Sequence, residues 1–141
     1  MTIREKFTLY YLTAMFSVVF AIVGFTYNTW RLEVTEDNNT IREAAFEVLV
    51  LLSELEQNIY ALHYDNNAEE GSPRIGWVKV GLIHELSALI SPEVESQTSE
   101  LKQHWNEHWD KIQQHNTSVE LILARADAVR AEIKHQLQTL P

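Results

Sequence analysis

His104-Trp105-Asn106-Glu107-His108 fits H-x-x-E-H, a pattern in which two imidazoles one helical turn apart hold zinc and the glutamate activates a water. The pattern fixes only three positions. A hydrolase built on it also needs an acidic ligand far downstream and a large substrate chamber, and only residues 109–141 follow, so proteolysis is not expected. A metal site without catalysis is the better use of these side chains. On one continuous helix, His108 and His115 fall about 40° and 20° round the axis from His104, beside an apolar stripe centred about 60° away. Glu56 and His63 lie two turns apart next to Leu52, Leu55 and Ile59. Imidazoles and a carboxylate from facing helices can complete a transition-metal site in a bundle core. The plainer account leaves the same histidines at the edge of the core, hydrogen-bonded to neighbours or water. Six histidines in 141 residues put three on one face without special cause, and no cofactor is required.

Other chemistry is thinly represented. Trp77, Trp105 and Trp109 invite a ligand-pocket reading, but Trp105 falls on the apolar stripe and belongs to a core. Trp109, about 80° from the stripe centre, is expected at the surface or at an interface. Gly71-Ser72-Pro73-Arg74-Ile75-Gly76 lacks the glycine spacing and the lysine of a phosphate loop. Without cysteine there is no disulfide, thiolate metal site or cysteine nucleophile. No Ser/His/Asp set, paired-carboxylate motif or dinucleotide fingerprint takes on roles, so a non-enzymatic protein is expected. Twenty acidic residues against eleven Lys and Arg give a net charge of −9. That balance argues against nucleic acid, whose phosphates need a basic surface.

The elements that would position these residues begin with an apolar run. Phe7 to Trp30 is 24 consecutive residues without a formal charge, against the roughly 20 needed to cross a hydrocarbon core of about 30 Å. Tyr10 and Tyr11 near one end, and Tyr27 and Trp30 at the other, suit the two headgroup levels. The run ends in Gly24-Phe25-Thr26-Tyr27-Asn28, too bulky for signal-peptide cleavage, so an uncleaved signal anchor is expected. Arg4 and Lys6 precede it, which places residues 1–6 in the cytoplasm and 31–141 outside. In a Gram-negative cell that is an inner-membrane, single-pass protein with a periplasmic domain. Ala14, Ser17, Ala21 and Gly24 offer small side chains for close packing of two such spans.

The rest of the chain has the helical period. Ile41, Ala45, Val48, Leu49, Leu52, Leu55, Ile59 and Leu62 recur at three and four, while Phe46 and Val50 fall on the opposite face. The apolar span is expected to run straight on into this helix, with 35–40 as its one weak stretch. A polar loop over 64–71 precedes Ser72-Pro73, which reads as a cap and a first-turn proline, and Ser91-Pro92-Glu93 repeats that start. Between them Ile75, Val78, Leu82, Ile83, Leu86, Leu89 and Ile90 make a helix containing Gly76 and Gly81, two points where another helix is expected to approach closely. Beyond Pro92 one apolar phase persists to Leu137, favouring a single long helix. A capping box from Thr117 to Glu120 and the lengths of the pieces favour a break instead.

The fold expected is all-α: one N-terminal transmembrane helix continuing into an antiparallel bundle of three or four helices outside the membrane. Its plan resembles the extracytoplasmic sensing modules of bacterial receptors and small anchored subunits of division, lysis or metal-resistance systems. The resemblance lies in the architecture, with no motif matched residue by residue. Two functions follow: an anchored assembly or regulatory subunit working through helix packing, or a sensor holding a metal or small ligand. The expected partners are the bilayer, through 7–30, and a protein or a second copy, through Phe46, Val50 and Trp109.

Overall fold

From Phe25 to Glu70 no glycine or proline interrupts the chain, and a helix once begun has no local reason to stop. Helix α1 accordingly runs from Ile3 to His63, and the polar stretch 35–40 stays helical within it. The computed structural model describes residues 2–141; they contain helices and turns and no strand. They divide into two compact units between Asp37 and Asn38, each holding part of α1.

From Ile3 onward the first unit is helix. It is long and apolar enough to cross a membrane, and none of its apolar window is buried. Several of its hydroxyls are satisfied inside the helix: Thr13 donates to the Leu9 carbonyl (2.9 Å), Ser17 to Thr13 (2.9 Å) and Thr29 to Phe25 (3.0 Å).

The second unit is an antiparallel four-helix bundle. The later part of α1 is followed by α2 (Pro73–Ser87), α3 (Pro92–His108) and α4 (Asn116–Thr139), with a 3₁₀ turn at Trp109–Lys111. Polar bridges join each neighbouring pair round the ring. Lys79 Nζ reaches Glu54 (2.5 Å) between α2 and α1, and His84 Nδ1 meets Thr98 Oγ1 (3.0 Å) between α2 and α3. Arg125 reaches Glu100 (2.5 Å) between α4 and α3, and Arg130 reaches Glu56 (2.9 Å) between α4 and α1. Partly exposed pairs of this kind contribute about 0.2–1 kcal/mol each, so they set neighbours more than stability. The core is built from Val48, Leu52, Leu55, Ile59, Val80, Ile83, Val94, Leu101, Trp105, Ile112, Ile122, Val129 and Ile133, all essentially buried.

Local chemistry explains the turns. After α1 the chain bends through Asn66 at φ 51°, a left-handed conformation that asparagine tolerates better than most side chains. Asn67 Oδ1 then accepts from the backbone N–H groups of Glu69 (3.1 Å) and Glu70 (3.2 Å). Asn58, buried on α1, donates from Nδ2 to the carbonyls of Glu70 (2.8 Å) and Ser72 (3.1 Å), tying the loop to the helix. Ser91 caps α3 as expected, its hydroxyl accepting from Val94 N–H (3.1 Å). Ser72 sits at the cap position of α2 without a side-chain cap bond.

Asn58→Ala is expected to lower the unfolding free energy by about 1–3 kcal/mol, because two carbonyls lose their shared buried donor. Equilibrium denaturation followed by circular dichroism checks this. A loss near zero would show that water replaces the amide at no cost.

Residues 93–139 are broken into two helices, as the capping box and the lengths of the pieces favoured, but the break falls earlier than the Thr117–Glu120 box. Helix α3 ends at His108, the chain turns through 109–115, and α4 opens at Asn116 with His115 as its extended cap residue. Glu120 accepts instead from Asn116 Nδ2 (2.7 Å). On α2 the buried face is Gly76, Val80, Ile83 and Ser87, while Ile75, Val78 and Leu82, and Leu89 just past its end, are exposed. The helix had more apolar residues than one face can bury, and its two small residues took the tight contacts. Gly76 lies where a Cβ would collide with the Trp105 ring, whereas nothing lies within 4 Å of a Cβ at Gly81.

Candidate functional site

The residues singled out for a metal do not converge. Because α3 stops at His108, His115 leaves the face it would share with His104 on a continuous helix, and it stands exposed at the start of α4. The rings of His104 and His108 have centroids 6.3 Å apart. His104 Nδ1 donates to the Glu100 carbonyl (2.9 Å), and His108 Nδ1 lies 3.2 Å from Ser118 Oγ. Glu107, the acid of H-x-x-E-H, is exposed and accepts from Gln103 Nε2 (3.1 Å). On α1, Glu56 is taken by Arg130, and His63 Nδ1 donates to the Ile112 carbonyl (2.6 Å). Among the described residues no group of three or more His, Asp or Glu is placed to hold a metal ion. His63, His104 and His108 sit at the edge of the core, each with a neighbouring partner.

The tryptophans form a packed group. Trp105 is fully buried, and Trp77 meets it edge-on at 6.3 Å and Trp109 at 6.4 Å. Trp109 is half-buried against the core, because the change from α to 3₁₀ geometry at that residue alters the angle at which it leaves the axis. The indole N–H of Trp105 has no hydrogen-bond partner, so the ring is held by packing alone.

A second polar group escaped the sequence reading. Ser87 and Thr98 are fully buried with their hydroxyl oxygens 2.7 Å apart, next to His84. Their oxygens also lie 2.5 Å and 2.9 Å from the carbonyls of His84 and Glu95, so that one hydroxyl donates to the other and the second to its carbonyl. The signal was available, since Thr98 lies between Val94 and Leu101 at a core position. Its bonds are all internal, and the group joins α2 to α3.

What remains open is a surface. Phe46 and Val50 are 60% and 52% exposed, and α2 does not cover them. An open groove of about 560 Å³ runs beside them, lined by Phe46, Leu49, Val50, Ser53, Glu54 and Gln57. Tyr60, farther along α1, and Tyr64, just past its end, are also exposed, with ring centroids 5.8 Å apart. On α2, Ile75 shares a groove with Gln57, and the exposed Val78 and Leu82 follow it. Contiguous apolar patches of more than a few hundred Å² on a soluble surface mark interfaces. Comparison with protein-family models, curated proteins and solved structures finds no match for this chain.

Proposed function

We propose that this chain is a membrane-anchored, non-enzymatic assembly or regulatory subunit. Residues 7–30 form a single span with 1–6 in the cytoplasm, and the bundle acts outside by helix packing with a protein partner. In a Gram-negative cell this is an inner-membrane protein with a periplasmic domain.

The observation that carries the reading is the uncovered face of α1. Phe46 and Val50 stand open on a helix whose opposite side already fills the core. Leaving such side chains bare in water forgoes about 1.5–3 kcal/mol of burial each, a loss that a partner recovers. The anchor is supported by the uncharged 7–30 run, its unburied side chains and the internal satisfaction of its hydroxyls, as a lipid environment requires.

The test is particle mass in detergent. The full chain is expected to exceed one chain plus its micelle, and Phe46→Glu with Val50→Glu is expected to bring it down to that value with the helical signal intact. A wild-type chain that runs as a monomer would overturn the reading. So would a double variant that simply unfolds, because those side chains would then belong to the internal core.

A further inference from the structure

Phe46, Val50, Ser53, Gln57 and Tyr60 lie exposed on α1 and Tyr64 just past its end, spaced alternately four and three residues apart. That is the spacing by which two helices mesh side chain into side chain along one seam. All six are uncharged, although the chain carries a net charge of −9 and an exposed helix face is ordinarily its charged one. From this stripe we infer that the partner seated on it is a second copy of this chain, its α1 parallel to the first and in register from Phe46 to Tyr64. The inference rests on the anchored-subunit reading above, since a shared bilayer is what holds two copies parallel.

Charge is the first reason for a second copy over another protein. Two identical acidic chains repel across most of their surfaces, and this stripe is where they can meet without opposed charges. Of the acids that flank it, Glu54 is paired with Lys79 and Glu56 with Arg130, and among the described residues only Glu47, beside Phe46, stands exposed without an ion pair.

Register is the second reason. In a parallel pair each seam residue faces its own counterpart. Phe46, Val50 and the two tyrosines then meet like side chains, while Ser53 allows close approach. Gln57 faces Gln57 of the partner subunit, and each amide can both donate and accept. A polar residue within an apolar seam is a known way to fix register.

Area is the third. An aromatic side chain buries about 150–250 Å², and Phe46, Tyr60 and Tyr64 are 60%, 41% and 61% exposed, so the rings offer roughly 300 Å² per copy. With Val50, Ser53 and Gln57 from both copies, the total reaches about 1,000 Å², where specific interfaces begin. Confinement to one membrane raises the effective concentration of each copy for the other.

The absence of cysteine makes the test direct. Ser53→Cys and Gln57→Cys, each made singly in the full chain in native membranes, are expected to give a band of twice the chain mass under mild oxidation, because seam positions bring Cα atoms within disulfide range. Lys102→Cys, exposed on α3 diagonally across the bundle, is expected to stay monomeric. Adding Phe46→Glu and Val50→Glu to the Gln57→Cys chain should abolish its band while leaving the helical circular-dichroism signal intact. Equal cross-linking at Lys102→Cys would mean random collision and overturn the pairing. If no seam cysteine cross-links while the wild-type particle still exceeds one chain, the partner is a different protein: self-pairing fails and the anchored-subunit reading stands. If no seam cysteine cross-links and the particle is a monomer, both fail.

Discussion

Gly76→Ala will lower the melting temperature of the bundle by about 10 °C, whereas Gly81→Ala, five residues along the same helix, will leave it unchanged or raise it slightly. Helix propensity alone predicts the same sign at both sites, a gain of up to about 1 kcal/mol for replacing an interior glycine. Packing separates them. A Cβ at Gly76 collides with the Cζ2 and Cη2 edge of Trp105 and comes within 3.0 Å of Asn58 Oδ1, while a Cβ at Gly81 meets nothing within 4 Å. Trp105 is fully buried and Asn58 is held by the loop, so neither can yield easily. Overpacking of this kind costs about 1–3 kcal/mol, and each kcal/mol moves the midpoint of a domain this size by roughly 4–8 °C. Trp105→Phe shortens the ring on the side that meets Gly76. It is expected to destabilise the wild type yet recover part of the loss in Gly76→Ala, and a double-mutant cycle followed by thermal melting measures that coupling. Equal effects at the two glycines would mean that α2 and α3 do not approach each other at Gly76.

These two glycines show how far the sequence can be read. Both promised a close helix approach, and nothing local distinguishes Gly76 from Gly81, because the obstacle is a side chain 29 residues away at Trp105. The apolar run 7–30, the loop after His63 and the proline starts at Pro73 and Pro92 were legible because each depends on its own residues and near neighbours. The turn at 109–115 was not. It contains no glycine or proline, and α3 and α4 each keep an apolar face toward the same core, so the period continues through the reversal. The spacing misplaced His115 for the same reason, since it assumed one helix from His104 to His115. Glu56 on α1 is taken by a contact that spacing cannot reveal, with Arg130 on α4. Phe46 and Val50 were visible as misfits on α1. The exposed stripe they begin, from Ser53 to Tyr64, emerged only when burial showed which face the bundle leaves open.

The other large effect concerns where the chain partitions. Residues 7–30 expose aromatic and aliphatic side chains on every side: Phe7, Tyr10, Phe20 and Phe25 each stand more than 70% open. In water that surface is unfavourable by about 25 cal/mol for each Å²; in hydrocarbon it is at home, and the continuous helix satisfies the backbone. In the proposed topology Arg4 and Lys6 before the run hold the N-terminus inside. The most direct measurement fuses a reporter that is active only outside the cytoplasm after Pro141 and follows its activity through alkaline carbonate extraction of the membranes. An active reporter that remains in the membrane pellet is the expected result. An inactive reporter, or activity released into the supernatant, would contradict an anchored subunit with its bundle outside the cell membrane.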